Sequence, residues 1–545
     1  MTLSMIGKTG VKEFRELFLF LLLYTISSLI VIFSGHAYLG TIDDPYLREF
    51  LFHGENRTLI MSYPLSTLLS FLYQKFPDIQ WFSWTLTLYI AAIYTLFSIY
   101  LVQFKDRFVR YLLAIFGLVV LLYVWMNITV TIVTLLMVVV AIPLIKKDQI
   151  LFWLYLVASS MLRDTILISV SPLILLAYIY MFDKSYFDYK RVLAILCLIF
   201  LIFSSIYSPS TDKPYRDWLD FYHARVYFTD LHGDDEKHLF SDDEKLIAYS
   251  WFAQDESLLS TEKIVMAAGS KLEVIKHGLA TLSLRGIASK FYHHKILFVL
   301  LFFTYILLRR YEKSRSKTLL LVTFVVGFFT LLFIRDVERV TYPMIFLWFT
   351  LLAVEFLKYE GKRYLRNMTL ASILMLLIDL PLYGKAHVPE YWDLRNELVG
   401  LIEKRKDSTY EPSLGFPSKV EGNFATALDQ NRLFFEKEWI SNYIVPAGWM
   451  SRHPFFYETH DISFEGVQRT YSSYYDYLMG PKALFVGSKG VNGKINERIL
   501  RMYDRVHPLD KNCRHAVVKI DESKHFALFK VVPECSEKDR KSLMP

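Results

Sequence analysis

Two adjacent carboxylates, Asp43 and Asp44, lie in the stretch TIDDPYLREF, positions 41–50. They come just after the first long apolar segment, Phe14 to Phe33, and just before Tyr46, Arg48 and His53. A carboxylate held where the chain leaves lipid can take the proton of a hydroxyl as that hydroxyl forms a new bond. The same residues have a plainer use, because Asp is a favoured N-cap and Pro45 a favoured first helical residue. Successive side chains diverge, so the two acids are expected to divide these roles. Asp43, nearer the span, is better placed as a base, and Asp44, next to Pro45, is the more natural cap.

Two further groups of charge interrupt apolar runs. Arg163 and Asp164 break the run Ile150–Phe182, and Arg335, Asp336, Glu338 and Arg339 break the stretch between Thr318 and Leu357. An ionisable residue at the centre of a membrane helix costs at least roughly 2.5–3.5 kcal/mol, so such groups face a cavity, a partner or water. Arg335 and Arg339 are four residues apart and share a face on any helical turn. Two guanidiniums on one face suit a phosphate gripped at two points. A short turn, with its charges in water or paired with neighbouring acids, accommodates both groups as well. The segment KPYRDWLDFYHARVYF, 213–228, sets Arg216 and Arg225 among Tyr and Trp rings, a composition suited to carbohydrate or to the membrane interface. The acids and histidines of HGDDEKHLFSDDEK, 232–245, match no metal loop in their spacing and read as a solvated acidic segment. No metal site is assigned.

The elements that must position these groups are membrane helices. The 545 residues are 53% hydrophobic and 16% aromatic, and apolar runs of spanning length recur along them, defining a polytopic membrane protein. The formal charge of +7 sits in short clusters between apolar runs, the distribution of the positive-inside rule and not of a nucleic-acid surface. With those clusters in the cytoplasm, about eleven spans put the N-terminus inside and every unusual polar feature on the opposite face. The N-terminal run lacks a cleavage site and reads as a retained first span.

Residues 1–384 are therefore expected to form a mainly α transmembrane bundle with extracytoplasmic loops at 36–81 and 208–294. Residues 385–545, about 160 in number and enough for a small domain, are expected to form a mixed α/β extracytoplasmic domain. KALFVGSKG reads there as a strand and turn, Asn496 to Tyr503 as a helix, and HAVVKI and FALFKVV as a hairpin around DESKH. Cys513 and Cys535 are symmetric about Lys524 in that hairpin. They would face one another within disulfide range in an oxidising compartment, although a one-residue slip would turn them apart. Cys197 falls in an apolar run and reads as a core residue. Asn56-Arg57-Thr58 is a glycosylation sequon.

An N-terminal span, the acidic motif Ile42-Asp43-Asp44 in the first extracytoplasmic loop, the amphipathic PLSTLLSFLYQKFP after it, the many spans and the polar C-terminal domain resemble the GT-C glycosyltransferases. The likeness covers positions 10–385. It implies an integral-membrane glycosyltransferase of the bacterial inner membrane, moving a sugar from a polyprenyl-phosphate donor to an extracytoplasmic glycan or lipid-linked acceptor, as in cell-surface polysaccharide or lipopolysaccharide modification. Asp43 or Asp44 would be the base, with Arg48, His53, Arg163, Asp164, Arg216, Arg225, Arg335 and Arg339 serving the donor phosphate and substrate. No cofactor is assigned, a divalent cation stays open, and no nucleic-acid partner is expected. An O-antigen-type polymerase or ligase, and a non-catalytic membrane transport or assembly protein, are the alternatives.

Overall fold

A computed structural model describes residues 11–34, 37, 39, 43–52, 54–58, 60–144, 149–163, 213–230, 240–248, 256–268, 295–310, 338–358, 361–383, 397, 400, 401, 404, 409–412, 474–480, 483–488, 497–509 and 513–535. His53, Asp164, Cys197 and Arg335 lie outside these residues, as do the expected spans at 165–182, 192–207 and 318–334. The chain divides into two units. One comprises Met1–Ser208, Leu282–Ala386 and Asn431–Phe434; the other comprises Pro209–Thr281, His387–Gln430 and Phe435–Pro545.

In chain order the helices of the first part are α1 (Val11–Phe33), α2 (Asp43–Phe52), α3 (Tyr63–Lys75), α4 (Trp81–Val102), α5 (Arg107–Met126), α6 (Val130–Ala141) and α7 (Gln149–Leu162). The second unit begins with α8 (Lys213–Asp230), α9 (Asp242–Ala248) and α10 (Thr261–Ala268). The chain returns to the first unit with α11 (Ile296–Arg310), α12 (Glu338–Lys358) and α13 (Lys362–Tyr383). Among the described residues, Glu13–Phe33, Trp81–Val102 and Arg107–Met126 are long and apolar enough to cross a membrane, which makes this a membrane protein. Val130–Ala141, Ile150–Leu162 and Tyr342–Leu357 are apolar but shorter.

Of the three long helices α5 is the most buried and α1 the least. Of the apolar window in each, 72% is buried in α5 and 22% in α1. Phe18, Ile30 and Phe33 of α1 are exposed, as suits a surface turned to lipid tails. Phe20, Tyr24 and Val31 face inward, and the Tyr24 hydroxyl donates to the Ala114 carbonyl at 3.0 Å. Gly117 permits this approach, because a Cβ there would come within 2.3 Å of the Phe97 ring. Paired hydrogen bonds, Tyr89 to the Ala158 carbonyl (3.0 Å) and Tyr155 to the Ala92 carbonyl (2.9 Å), join α4 to α7. Asp106 caps α5 by accepting from the Val109 amide.

The sequence places a turn at Arg335–Arg339, bounded by Tyr342 and Pro343. Instead α12 already begins at Glu338 and carries Pro343 inside it. Pro343 is the sixth residue of α12, past the four amides that lack intrahelical partners, so it forgoes one bond of the helix ladder.

The second unit adds β1 (Thr409–Pro412), α14 (Tyr474–Met479), β2 (Ala483–Ser488), α15 (Glu497–Val506), β3 (Cys513–Glu522) and β4 (Phe526–Cys535). The sheet order is β1-β2-β4-β3, with β1 parallel to β2 and the remaining neighbours antiparallel. The central strand β4 buries Phe526 to Phe529 and Val531. Phe221, Ile247, Leu259 and Ile264 from the long loop share one apolar core with Leu478, Ile499, Tyr503, Phe529 and Val531 from the tail. The loop and the tail, treated separately in the sequence reading, thus build a single hydrophobic interior.

Cys513 and Cys535 are joined in a disulfide. Pairs run from Cys513–Cys535 to Lys519–Phe529 in one register and then shift between Lys519 and Asp521. This irregularity lies on the turn side of the register, so the slip that would separate the thiols never reaches them. The bond is consistent with an extracytoplasmic domain. Replacing both cysteines by serine is expected to cost about 3 kcal/mol, the loop-closure entropy released across a separation of 22 residues. Peptide mapping without reductant should recover the joined peptides, and thermal unfolding of the double variant gives the loss.

Candidate functional site

Helix α2 ends at a glycine turn. Gly54 has φ 88°, its amide donates to the Leu51 carbonyl, and the Glu55 amide reaches back to the Phe50 carbonyl at 2.9 Å. These two bonds satisfy carbonyls left open at the helix end, and the left-handed backbone between them costs only glycine little. A Cβ at Gly54 would also meet Gln74 of α3 at 2.7 Å. Helix α3 buries Ser62, Ser66 and Ser70, spaced one helical turn apart. The Ser66 hydroxyl donates to the Asn56 carbonyl at 2.7 Å, and Asn56 donates from its side chain to Thr67 at 3.2 Å. The sequon is therefore folded in, with Thr58 buried and bonded to Met61. The outer face of α3 carries exposed Leu68 and Phe71, and Phe76 just past its end is exposed as well.

Asp44 is 3% exposed and accepts from the Val130 amide at 3.1 Å. Val130 opens α6, where Thr129 accepts from the Ile132 amide. Asp44 thus puts its charge at the positive end of a helix not its own. One residue on, the Arg163 guanidinium donates to the Thr131 hydroxyl. Leu39 pairs with Ile128, and Ser62 bonds through both its amide and its hydroxyl to the Met161 carbonyl, at 3.2 and 2.7 Å. The first loop, the start of α3, the start of α6 and the end of α7 are therefore tied into one cluster. Arg48 lies one turn beyond Asp44 on the same face of α2 and is also 3% exposed. Burial pushes the Tyr73 hydroxyl up to about 12, against opposing pulls from the Phe82 amide that donates to it and from the Arg48 charge.

Of the expected site residues, Asp44 and Arg163 thus bond neighbouring residues in the first turn of α6, Val130 and Thr131, and Arg48 is on the buried face of α2. The backbones of Asp43 and Arg339 open α2 and α12, and their side chains lie outside the described residues, as do His53, Asp164 and Arg335. Thr131, which receives Arg163, went unnoticed in the sequence. Its available signal was Asn127-Ile128-Thr129, a break and cap ahead of the apolar run 130–141.

Arg216 and Arg225 lie in the second unit, on α8. Nine residues at about 100° each set them on opposite sides of the helix, so α8 alone cannot offer both to one phosphate. Three of the α8 rings are turned away from any sugar. Tyr215, Trp218, Phe221 and Ala224 recur every three residues and are buried, because helical periodicity turns that stripe into the core.

The acids after Phe240 are structural among the described residues. Ser241 and Glu244 form a reciprocal cap on α9, and Glu244 also pairs with Lys263. Asp243 receives Arg498 at 2.9 Å and Arg505 at 3.1 Å. Chiefly through the Arg505 hydrogen bond, its carboxyl is held below the ordinary range. Glu397 is likewise lowered, the effect of burial being outweighed by hydrogen bonds from Ser523 and His525. A folded-state pKa below the unfolded one adds stability that is whole above the ordinary carboxylate values of 3.8 and 4.5. It is lost as pH falls through the lower folded values. The pair Asp243→Asn with Glu397→Gln should therefore lower the Tm of the full chain at pH 7 and have less effect in acid. The gap from wild type should narrow as pH falls below those ordinary values. A gap that is constant across pH would deny these carboxylates the role.

Elsewhere in the second unit, the buried His515 ring bonds Asp504 at 2.7 Å and Tyr475 at 2.8 Å. Tyr475 stacks on His507, which bonds Ser257 at 2.8 Å. Among the described residues, no group of three or more His, Cys, Asp or Glu could hold a metal ion. Comparison of the chain with protein-family models, with curated proteins and with solved structures finds no match.

Proposed function

We propose that the protein is a GT-C-type glycosyltransferase of about eleven spans. It would move a sugar from a polyprenyl-phosphate donor to an extracytoplasmic glycan or lipid-linked acceptor, in a bacterial inner membrane. The observation that carries this reading is that Asp44 and Arg163 bond neighbouring residues, Val130 and Thr131, in the first turn of α6. An acid loop and a cationic helix end on one face of the membrane are the two parts such a reaction needs. In the proposed step the acceptor oxygen bonds to the anomeric carbon. The bond from that carbon to the lipid phosphate breaks, and its electron pair leaves on the phosphate. The hydroxyl proton passes to Asp43. Arg163, with Arg335 and Arg339, would stabilise the charge gathering on the phosphate. Asp44, pinned to the Val130 amide, would fix the loop that carries Asp43.

The test uses the purified full chain in lipid nanodiscs with a panel of polyprenyl-phosphate sugars, following release of polyprenyl phosphate. Consumption of a monophosphate donor is the expected result. If pyrophosphate-linked glycan is consumed instead, a polymerase or ligase takes its place.

A further inference from the structure

A cavity of about 650 Å³ lies within the first unit, among α4, α5, α6, α12 and the start of α13. Its walls are rings and branched chains, among them Phe97, Phe116, Phe346 and Phe349. Phe116 and Phe349 stack at 4.2 Å. Gly117 contributes to the wall with no side chain of its own. The charged lining comes from the connection between α4 and α5 and from the first residue of α13, as Lys105, Asp106 and Lys362. Asp106 caps α5 and keeps its charge, so two lysines against one aspartate leave that end net positive. Arg107 and Arg363 follow them in sequence. These are the basic clusters that the positive-inside rule assigns to the cytoplasm. The end opposite them reaches Val120 on α5, about 20 Å along the helix from Asp106. That exceeds the half-thickness of a bilayer core, about 15 Å. The volume lies within the range of about 300–1,000 Å³ found for ligand cavities.

We infer that this cavity is a binding site for an anionic phospholipid of the cytoplasmic leaflet. One acyl chain lies among the phenylalanines, and the phosphate headgroup rests at Lys105 and Lys362. Long apolar walls match the tail, and a basic end between helices at the cytoplasmic surface matches the headgroup. A soluble metabolite would leave most of the wall without a partner, and a zwitterionic lipid would carry no net charge to meet the lysines. The inference rests on the fold and the charge distribution and is independent of any glycosyltransferase activity.

Native mass spectrometry of the full chain tests it, after incubation with an equal mixture of phosphatidylglycerol and phosphatidylcholine of the same acyl chains. Wild-type protein is expected to retain phosphatidylglycerol about tenfold over phosphatidylcholine. Lys105→Gln with Lys362→Gln should erase the preference, and Ala353→Trp, which fills the cavity from α12, should remove the retained lipid. Should Ala353→Trp not fold, Val140→Phe narrows the same space from α6, and the wild-type comparison needs no variant at all. Equal retention of both lipids by wild type overturns the proposal. So does retention unchanged in a folded cavity-filling variant, which would mean lipid on the outer surface. Displacement of the lipid by inorganic phosphate alone would reduce the site to a headgroup contact and overturn it as well.

Discussion

Asp43→Asn is expected to lower sugar transfer by about 10²–10⁴-fold, the usual contribution of a positioned base, while leaving donor binding and Tm at wild-type values. Asp44→Asn is expected to do the reverse. Asp44 is buried and accepts from the Val130 amide, and a hydrogen bond to a charged group is worth about 1.5–3 kcal/mol. Its loss should appear as destabilisation of that order, with transfer falling only as far as the loop loosens. Asparagine keeps the shape and one acceptor oxygen but can neither take the proton nor carry charge to the start of α6, so it separates the two roles. The pair of variants is read by transfer rate and by thermal unfolding in the same detergent. If Asp44→Asn is inactive at wild-type Tm while Asp43→Asn still transfers, the assignment is reversed. If both transfer normally, the glycosyltransferase reading fails.

The largest effect on stability is expected at the ion pair of Glu16 and Arg110, whose side chains are 9% and 8% exposed. Arg110 also donates to the Phe104 carbonyl at 3.0 Å, so one guanidinium ties α1, α5 and the connection between α4 and α5. Removing either partner leaves a charge stranded in a poorly solvated place. Glu16→Ala or Arg110→Ala should each cost about 3–5 kcal/mol. Replacing both with apolar residues of similar size, Glu16→Leu with Arg110→Met, should recover most of that, because the cost of taking two ions out of water disappears with them. Thermal unfolding of the two alanine variants and of the double alanine variant completes the cycle, and strictly additive losses would show that the pair is not coupled. Arg110 has a second consequence. The sequence counts it among the basic residues of the connection between α4 and α5, but its charge is spent on Glu16, which leaves Lys105 and Arg107 as that connection's contribution to the positive-inside pattern.

Much of the helical framework was legible because a membrane helix advertises itself locally. A run of about 20 apolar residues needs no partner to be recognised, and α4 and α5 fall within a few residues of where hydropathy sets them. The break at Arg163 was legible for the same reason: α7 ends at Leu162, where a charge would otherwise enter lipid. Alternation of apolar residues around a short polar turn likewise marked β3 and β4. The symmetric placement of Cys513 and Cys535 then followed from strand pairing alone.

What the tertiary structure decided involves residues far apart in the chain. Asp44 finds its amide 86 positions away, and nothing in TIDDPYLREF says that the start of α6 will be there. The rings of α8 carry the same pattern whether they face a sugar or a core. Only the packing of α8 against α10 and the core shared with the tail turned them inward. The acids at Asp243 and Glu244 looked solvated until α9 set them beside Arg498, Arg505 and Lys263. Periodicity reports which element a segment forms and which face is apolar. Which other segment covers that face, and which distant charge meets a buried carboxylate, depends on free energies summed over contacts that form only once the helices pack.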